Sequence, residues 1–172
     1  MAHKDSDFRE KFHKLTHGEG FDTPDDPAAQ WEPVISIGTA ADLVGLSPSA
    51  LRKYEREGLL IFHRTDSGRR LLCRADIKRI NMIKHMINDL GLNVVGIRRL
   101  LALLPCWDLK LCSKKDRKRC GAVTEDAKPC WMIKQSRCRQ VGLDCRQCEV
   151  YRYGAYCAVT MKMLVHGLDD RK

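Results

Sequence analysis

Eight of the chain's nine cysteines lie between Cys106 and Cys157, and this clustering limits the fold more than any other feature of the sequence. Their spacing is C-x5-C-x7-C-x9-C-x7-C-x6-C-x2-C-x8-C. The stretch is poor in apolar residues, so something other than a hydrophobic core has to order it. Thiolates bind soft metals well. The closing pair, Cys145 and Cys148, has a chelating spacing that lets two thiolates grip one metal ion from a single turn. We therefore read Cys106, Cys112, Cys120, Cys130, Cys138, Cys145, Cys148 and Cys157 as ligands of zinc or of an iron–sulfur cluster. Zinc suits sites of four thiolates, and a [4Fe–4S] cluster also takes four cysteines. The spacing matches neither familiar ferredoxin pattern, which leaves the metal open. Disulfides and unligated structural thiols are the competing readings, and a reducing compartment argues against the first.

The tail also carries an internal near-repeat. Pro105-Cys106-Trp107-Asp108-Leu109-Lys110 is echoed by Pro129-Cys130-Trp131-Met132-Ile133-Lys134, and a further cysteine follows each, at Cys112 and Cys138. Trp107 and Trp131 suit either hydrophobic anchors of a small core or shields that keep water from a cluster. From Pro105 to Lys172 there are 15 Lys/Arg against 8 Asp/Glu, a cationic setting that favours an anionic thiolate site. Cys73 stands apart and reads as a small packed side chain.

Charge divides the rest of the chain. Met1–Pro33 holds 4 Lys/Arg and 8 Asp/Glu, with Gly18, Gly20, Pro24 and Pro27 and little apolar periodicity. It reads as a mobile arm, or a solvated tail without a role. Val34–Leu104 holds 12 Lys/Arg and 6 Asp/Glu. With a net charge of +9 overall, the chain favours polyanionic partners. No apolar run is long enough to span a bilayer, and MAHKDSDFREKF lacks the apolar core of a secretory signal, so a cytoplasmic protein with no membrane partner is expected.

Val34–Leu104 reads as short helices broken by turns. Thr39 suits the cap of a helix through Ala40, Ala41, Leu43 and Val44, and Gly45 permits a left-handed turn. Ser47-Pro48 is a strong start signal for the next helix, which carries Leu51 and Tyr54 on one face. Two short helices joined by a glycine turn predict a helix-turn-helix, whose second helix enters the major groove. His63–Arg70 has turn residues in its middle and cations at its edges, which suits a hairpin lying along a phosphate backbone. Asp76 then opens a helix with Ile77, Ile80, Ile83 and Ile87 or Leu90 at helical spacing. Gly91 ends it, and Asn93 caps Val94–Leu104, where Ile97, Leu100, Leu101 and Leu104 form an apolar stripe.

SIGTAADLVGLSPSALRKYEREGLL, followed by RTDSGRRLL and GLNVVGIRRLL, resembles the MerR family of bacterial regulators over about seventy residues. The resemblance implies a winged helix-turn-helix that binds a palindromic promoter as a homodimer. It implies action with RNA polymerase through distortion of an overlong promoter spacer, switched by a ligand. Arg52 and Tyr54 match the family's Leu-Arg-Tyr-Tyr-Glu pattern, with Lys53 at the first Tyr. Arg64, Gly68 and Arg70 match the wing pattern, while Arg69 and Leu72 stand where Tyr is usual. The DNA-contacting set read from the helix and the hairpin is thus Ser49, Arg52, Lys53, Tyr54, Arg64, Arg69 and Arg70.

The family's next element is a long dimerising helix. Here Pro105 halts the chain, and Cys106–Cys148 shows no heptad pattern. A helix within Val150–Leu168, through Val159, Met163, Leu164 and Val165, either supplies a dimer surface or packs on its own tail. The PCW repeats and DCRQCEVY also resemble cysteine-rich CW-type tails of bacterial sensors.

The expected fold is mainly α, a winged helix-turn-helix with a small β wing followed by an irregular cysteine-rich metal- or cluster-binding region. The expected domains are an arm at 1–33, the DNA-binding domain at 34–104 and a sensing region at 105–172. The function read from this is a transcriptional regulator switched by metal or redox state. An architectural or recombination accessory factor with a structural zinc tail is the alternative. A small redox or metalloenzyme is the third possibility. The helix-turn-helix argues against it, as does the lack of a phosphate-cradling loop or a metalloprotease motif.

Overall fold

The computed structural model of the chain describes residues 29–110 and 112–159, the last three of these without their side chains. The chain divides into two compact units, one of Thr23–Arg98 and one containing Arg99–Lys172. In the first, a 3-10 turn at Ala29–Trp31 precedes β1 (Ile35–Ser36), α1 (Ile37–Val44), α2 (Pro48–Arg56), β2 (His63–Arg64), β3 (Arg70–Leu72) and α3 (Arg74–Asn88). α4 (Val94–Ala102) runs across the division. The acidic arm lies outside the described residues up to residue 28; its last part, Ala29–Trp31, packs on α3 and buries Gln30.

β1 and β2 both pair antiparallel with β3, giving a three-stranded sheet in the order β1-β3-β2. This pairing decides where α1 begins. Ser36 is held extended opposite Leu71, with ψ 156°, and its hydroxyl accepts the Thr39 amide at 3.2 Å. Ser36 is therefore the cap, and Thr39 already lies inside the helix. Gly45 ends α1 at φ 64°, a conformation costly for a residue with a Cβ. The Ser47 hydroxyl accepts the Ala50 amide at 3.2 Å, and Pro48 fills the first turn of α2.

The core of this unit is built from Ala40, Ala41 and Val44 of α1, Leu51 and Tyr54 of α2, Leu59, Leu60 and Phe62 after it, and Leu72 of β3. α3 adds Ile80, Ile83 and Met86. Met86 occupies the inner position that the sequence spacing gave to Ile87 or Leu90, and Leu90 is 49% exposed. A flexible thioether fills an irregular gap more readily than a branched chain. Arg79 of α3 is buried and donates from Nε to the Leu59 carbonyl at 2.7 Å, fastening the chain that leaves α2. The Lys84 ammonium donates to the Val44 carbonyl at the end of α1, where the helix dipole favours a cation.

Cys73 caps α3. Its amide and its thiol both donate to the Asp76 carboxylate, at 2.9 and 3.2 Å, so Asp76 sits three residues into the cap structure rather than at the start. Asn93 accepts the Gly96 amide at 2.8 Å and opens α4, as its sequence position suggests.

The second unit is made of short pieces: α5 (Cys106–Leu109), α6 (Lys114–Lys118), a 3-10 turn at Cys130–Met132, α7 (Arg137–Gln140), a 3-10 turn at Cys145–Gln147 and α8 (Glu149–Val159). α8 is the helix expected from Val150 onward; residues 160–168, including Met163, Leu164 and Val165, lie outside the described residues. The tail has a small core after all: Leu104, Leu109, Ala122, Trp131, Val150, Tyr151 and Ala155 are buried. Trp131 meets Tyr151 edge to face, with ring centroids 5.3 Å apart. Gly154 lets α8 approach closely, because a Cβ there would stand 3.0 Å from the Leu104 side chain. Among the described residues no helix is long and apolar enough to cross a membrane.

Two outcomes follow from this packing. Ile83→Ala removes a fully buried side chain and should cost about 2–5 kcal/mol in denaturant unfolding followed by helical circular dichroism; an unchanged midpoint would contradict the core described above. Burial pushes the Cys73 thiol up to about 12 from an ordinary value of 9.0. A raised acid contributes its stability below the unfolded pKa and loses it as pH climbs through the folded one. The chain should therefore lose stability relative to Cys73→Ala between pH 9.0 and about 12, measured as the difference in unfolding midpoints.

Candidate functional site

The first candidate surface is the outer face of α2 together with the β2–β3 hairpin. α2 turns Leu51 and Tyr54 inward and leaves Ser49, Arg52, Lys53 and Arg56 exposed. The ring of Tyr54, which is 7% exposed, packs in the core, and burial raises its phenol pKa. Ser49 bonds the capping hydroxyl of Ser47 at 2.8 Å, so the start of the helix is preset.

The hairpin turns through Thr65–Gly68. The Gly68 amide donates to the Thr65 carbonyl at 2.8 Å, and Gly68 has φ 78°. Opposite it, Arg64 pairs with Arg70 across the two strands. Both are held by a residue the sequence reading passed over. Glu55, on α2, accepts Arg64 at 2.7 Å on one carboxylate oxygen and Arg70 at 2.8 Å on the other. Arg64 and Arg70 thus tie the hairpin to α2, while Arg64 remains half-exposed and Arg69 is exposed. The signal was present in the sequence: an acidic residue followed by two arginines flanking a turn. The pairings span nine and fifteen residues, however, and no local pattern encodes them.

The second candidate site lies in the tail. Cys106, Cys112, Cys120, Cys130, Cys138, Cys145 and Cys148 all line one cavity of about 260 Å3, with Trp107, Trp131 and Tyr151 in its wall. Cys157 lies on α8, but its side chain is outside the described residues. The thiols are distributed around the cavity: among the described residues no three metal-binding side chains converge closely enough for a single ion. Cys106 and Cys130, the two copies of the repeat, hydrogen-bond through their thiols. That bond holds Cys106 below the ordinary thiol range and pushes Cys130 well above it, with burial adding to the rise. Burial also raises Cys112 and Cys145, and takes Cys138 up to about 11. Arg117 and Arg139 oppose the rise at Cys112 and Cys145 respectively. The Cys120 sulfur accepts the Arg137 amide at 3.3 Å.

Ion pairs brace the cavity rim. Arg117 meets Asp108 at 3.0 Å, linking α6 to α5, and Arg137 meets Asp116 at 2.9 Å, linking α7 to α6. Trp131 is a buried core residue that also lines the cavity.

Helix, turn, helix and braced hairpin together form a winged helix-turn-helix. Residues 35–104 match the family described as MerR HTH family regulatory protein and form a MerR-family helix-turn-helix domain. Among the relatives, three match over about seventy residues. The Streptomyces coelicolor protein named HspR is 38% identical over 71 residues, which cover 41% of this chain and 47% of the relative. The HTH-type transcriptional regulator GlnR of Bacillus anthracis is 37% identical over 71 residues, covering 41% of this chain and 54% of the relative. The HTH-type transcriptional regulator MlrA of Escherichia coli is 44% identical over 70 residues, covering 40% of this chain and 28% of the relative. The chain thus spans about half or less of the length of each relative.

Glu55→Ala tests the clasp. Loss of two charge-assisted, partly exposed bonds should weaken the hairpin by about 1–2 kcal/mol. The Arg64 and Arg70 amides should then exchange faster with deuterated solvent, while Ile80 and Ile83 in α3 keep their protection. Unchanged exchange in the hairpin would mean that Glu55 does not hold it.

Proposed function

We propose that the chain is a DNA-binding transcriptional regulator rather than an enzyme, and that its cysteine-rich tail switches it in response to a metal or redox signal. The observation that carries the DNA reading is the exposed Ser49-Arg52-Lys53-Arg56 face of α2 beside a wing clasped by Glu55. The family match over residues 35–104 and relatives named as transcriptional regulators support it. In this reading residues 34–104 read DNA and residues 105–172 sense. α2 enters the major groove, where Arg52 reads a base edge and Lys53 and Arg69 meet phosphates. Two copies of the chain bind a palindromic promoter with half-sites about 34–36 Å apart, one helical turn. The switch acts on RNA polymerase at that promoter, in the cytoplasm.

The test begins with a duplex selected from a random pool by the full chain. Arg52→Ala should weaken binding to the selected duplex by about 1–3 kcal/mol and relax the preference at one position. Arg69→Ala should weaken all sequences evenly and lower the salt slope by about one. If both variants bind as the parent does across a salt titration, the groove-facing assignment of α2 and the hairpin is wrong. Cys145→Ala combined with Cys148→Ala should leave the duplex affinity near that of the parent but abolish the transcriptional response to added metal or oxidant. An unaltered response would remove this pair from the switch.

A further inference from the structure

We propose that the cleft between α6 and α7, beside the thiol-lined cavity, is an oxyanion site that takes a doubly charged phosphate, either inorganic phosphate or the monoester group of a small molecule. The inference goes beyond the regulator reading and stands without it.

The cleft encloses about 230 Å3 and is lined by Lys115, Asp116, Arg119, Arg137 and Gln140, all of them polar. Helical spacing brings these side chains together. Lys115 and Arg119 stand four residues apart on α6 and its C-terminal cap, and Arg137 and Gln140 stand three apart on α7. Each pair therefore shares one face of its helix. Three cations facing one space repel one another, and a single carboxylate offsets only part of that charge. Three cations against one carboxylate leave the cleft at +2.

Asp116 is already committed. The Ser113 hydroxyl donates to one of its oxygens at 2.7 Å, and Arg137 Nε donates to the other at 2.9 Å. Ser113 first, and Arg137 after it, hold the Asp116 carboxyl below its ordinary range, so it stays ionised and fixed. The bond through Nε orients Arg137 and leaves its two terminal nitrogens without a partner among the described residues. The Arg119 side chain is exposed and makes no ion pair among the described residues. Gln140 gives one amide hydrogen to the Gln135 carbonyl at 3.3 Å and keeps the other.

These donors match a phosphate group. The planar fork of arginine meets two phosphate oxygens at once, and lysine adds a compact charge. Charge selects the class of phosphate. A dianion neutralises a cleft at +2, whereas a carboxylate or the phosphodiester of a duplex brings one negative charge and leaves half the repulsion in place.

The test uses the full chain, reduced, in a phosphate-free buffer of fixed ionic strength, with inorganic phosphate as the probe and calorimetric titration as the readout. One phosphate per chain should bind saturably. Arg119→Ala should weaken it at least tenfold, and far-UV circular dichroism should show that variant folded, because the side chain it removes is exposed and has no ion pair. Lys128→Ala removes an exposed tail cation outside the cleft and should bind phosphate as the parent does. Dimethyl phosphate, a singly charged diester, should bind at least tenfold more weakly than inorganic phosphate. Arg119→Ala should bind the selected duplex with the parent's salt slope. Four outcomes overturn the proposal. The first is a titration that does not saturate. The second is an equal loss in Arg119→Ala and Lys128→Ala, which reports general attraction to a basic tail. The third is dimethyl phosphate bound as tightly as phosphate. The fourth is a duplex salt slope lowered by about one in Arg119→Ala, which assigns the cleft to a duplex backbone. The phosphate titrations give their answer whether or not the chain binds a duplex, so failure of the regulator reading leaves this inference in place, and the reverse holds too.

Discussion

One carboxylate ties the hairpin to the second helix of the helix-turn-helix. Glu55 places each of its oxygens on a different arginine of the hairpin, Arg64 and Arg70, and so fixes the wing's angle to α2. A two-stranded hairpin is marginal on its own in water. This one is supported from two sides, by β1 pairing along β3 and by the clasp from the helix. β1 in turn sets the start of α1, because the extended Ser36 is both the end of the strand and the cap of the helix. α2, the hairpin and α1 therefore support one another, and none depends on its own propensity alone.

In the tail the division of labour is different. Its few apolar residues form a small core around Trp131, Tyr151 and Val150, with Gly154 allowing α8 close contact. Most of its segments are single turns, too short to be stable alone. They are tied at the rim by Asp108–Arg117 and Asp116–Arg137, and they direct thiols inward. The Cys106 and Cys130 thiols hydrogen-bond to each other, so the two copies of the repeat meet at the cavity.

The sequence revealed features that depend on neighbouring residues along the chain. Ser47-Pro48, Gly45 and Asn93 each carry their own start or stop chemistry, and each does in the structure what that chemistry implies. The mainly helical fold and the wing were legible from the same signals. What was not legible depends on partners far along the chain. Thr39 looked like a cap because the strand pairing that holds Ser36 extended comes from residues 71 and 72. Met86 replaced Ile87 or Leu90 in the core because helical spacing gives a stripe but not its exact edge. Tyr54 shares the inner face of α2 with Leu51, as the helical spacing implies. The clustering of seven thiols around one space was foreshadowed by their density, yet the repeat alone did not predict that its two leading cysteines would meet.

That meeting has a consequence for how such a tail can be inherited. The two PCW segments are near copies, and the thiol that opens each one touches the thiol that opens the other. Each copy brings its own tryptophan to the cavity wall. A truncation that removes either copy therefore takes a cysteine and a tryptophan from the same wall.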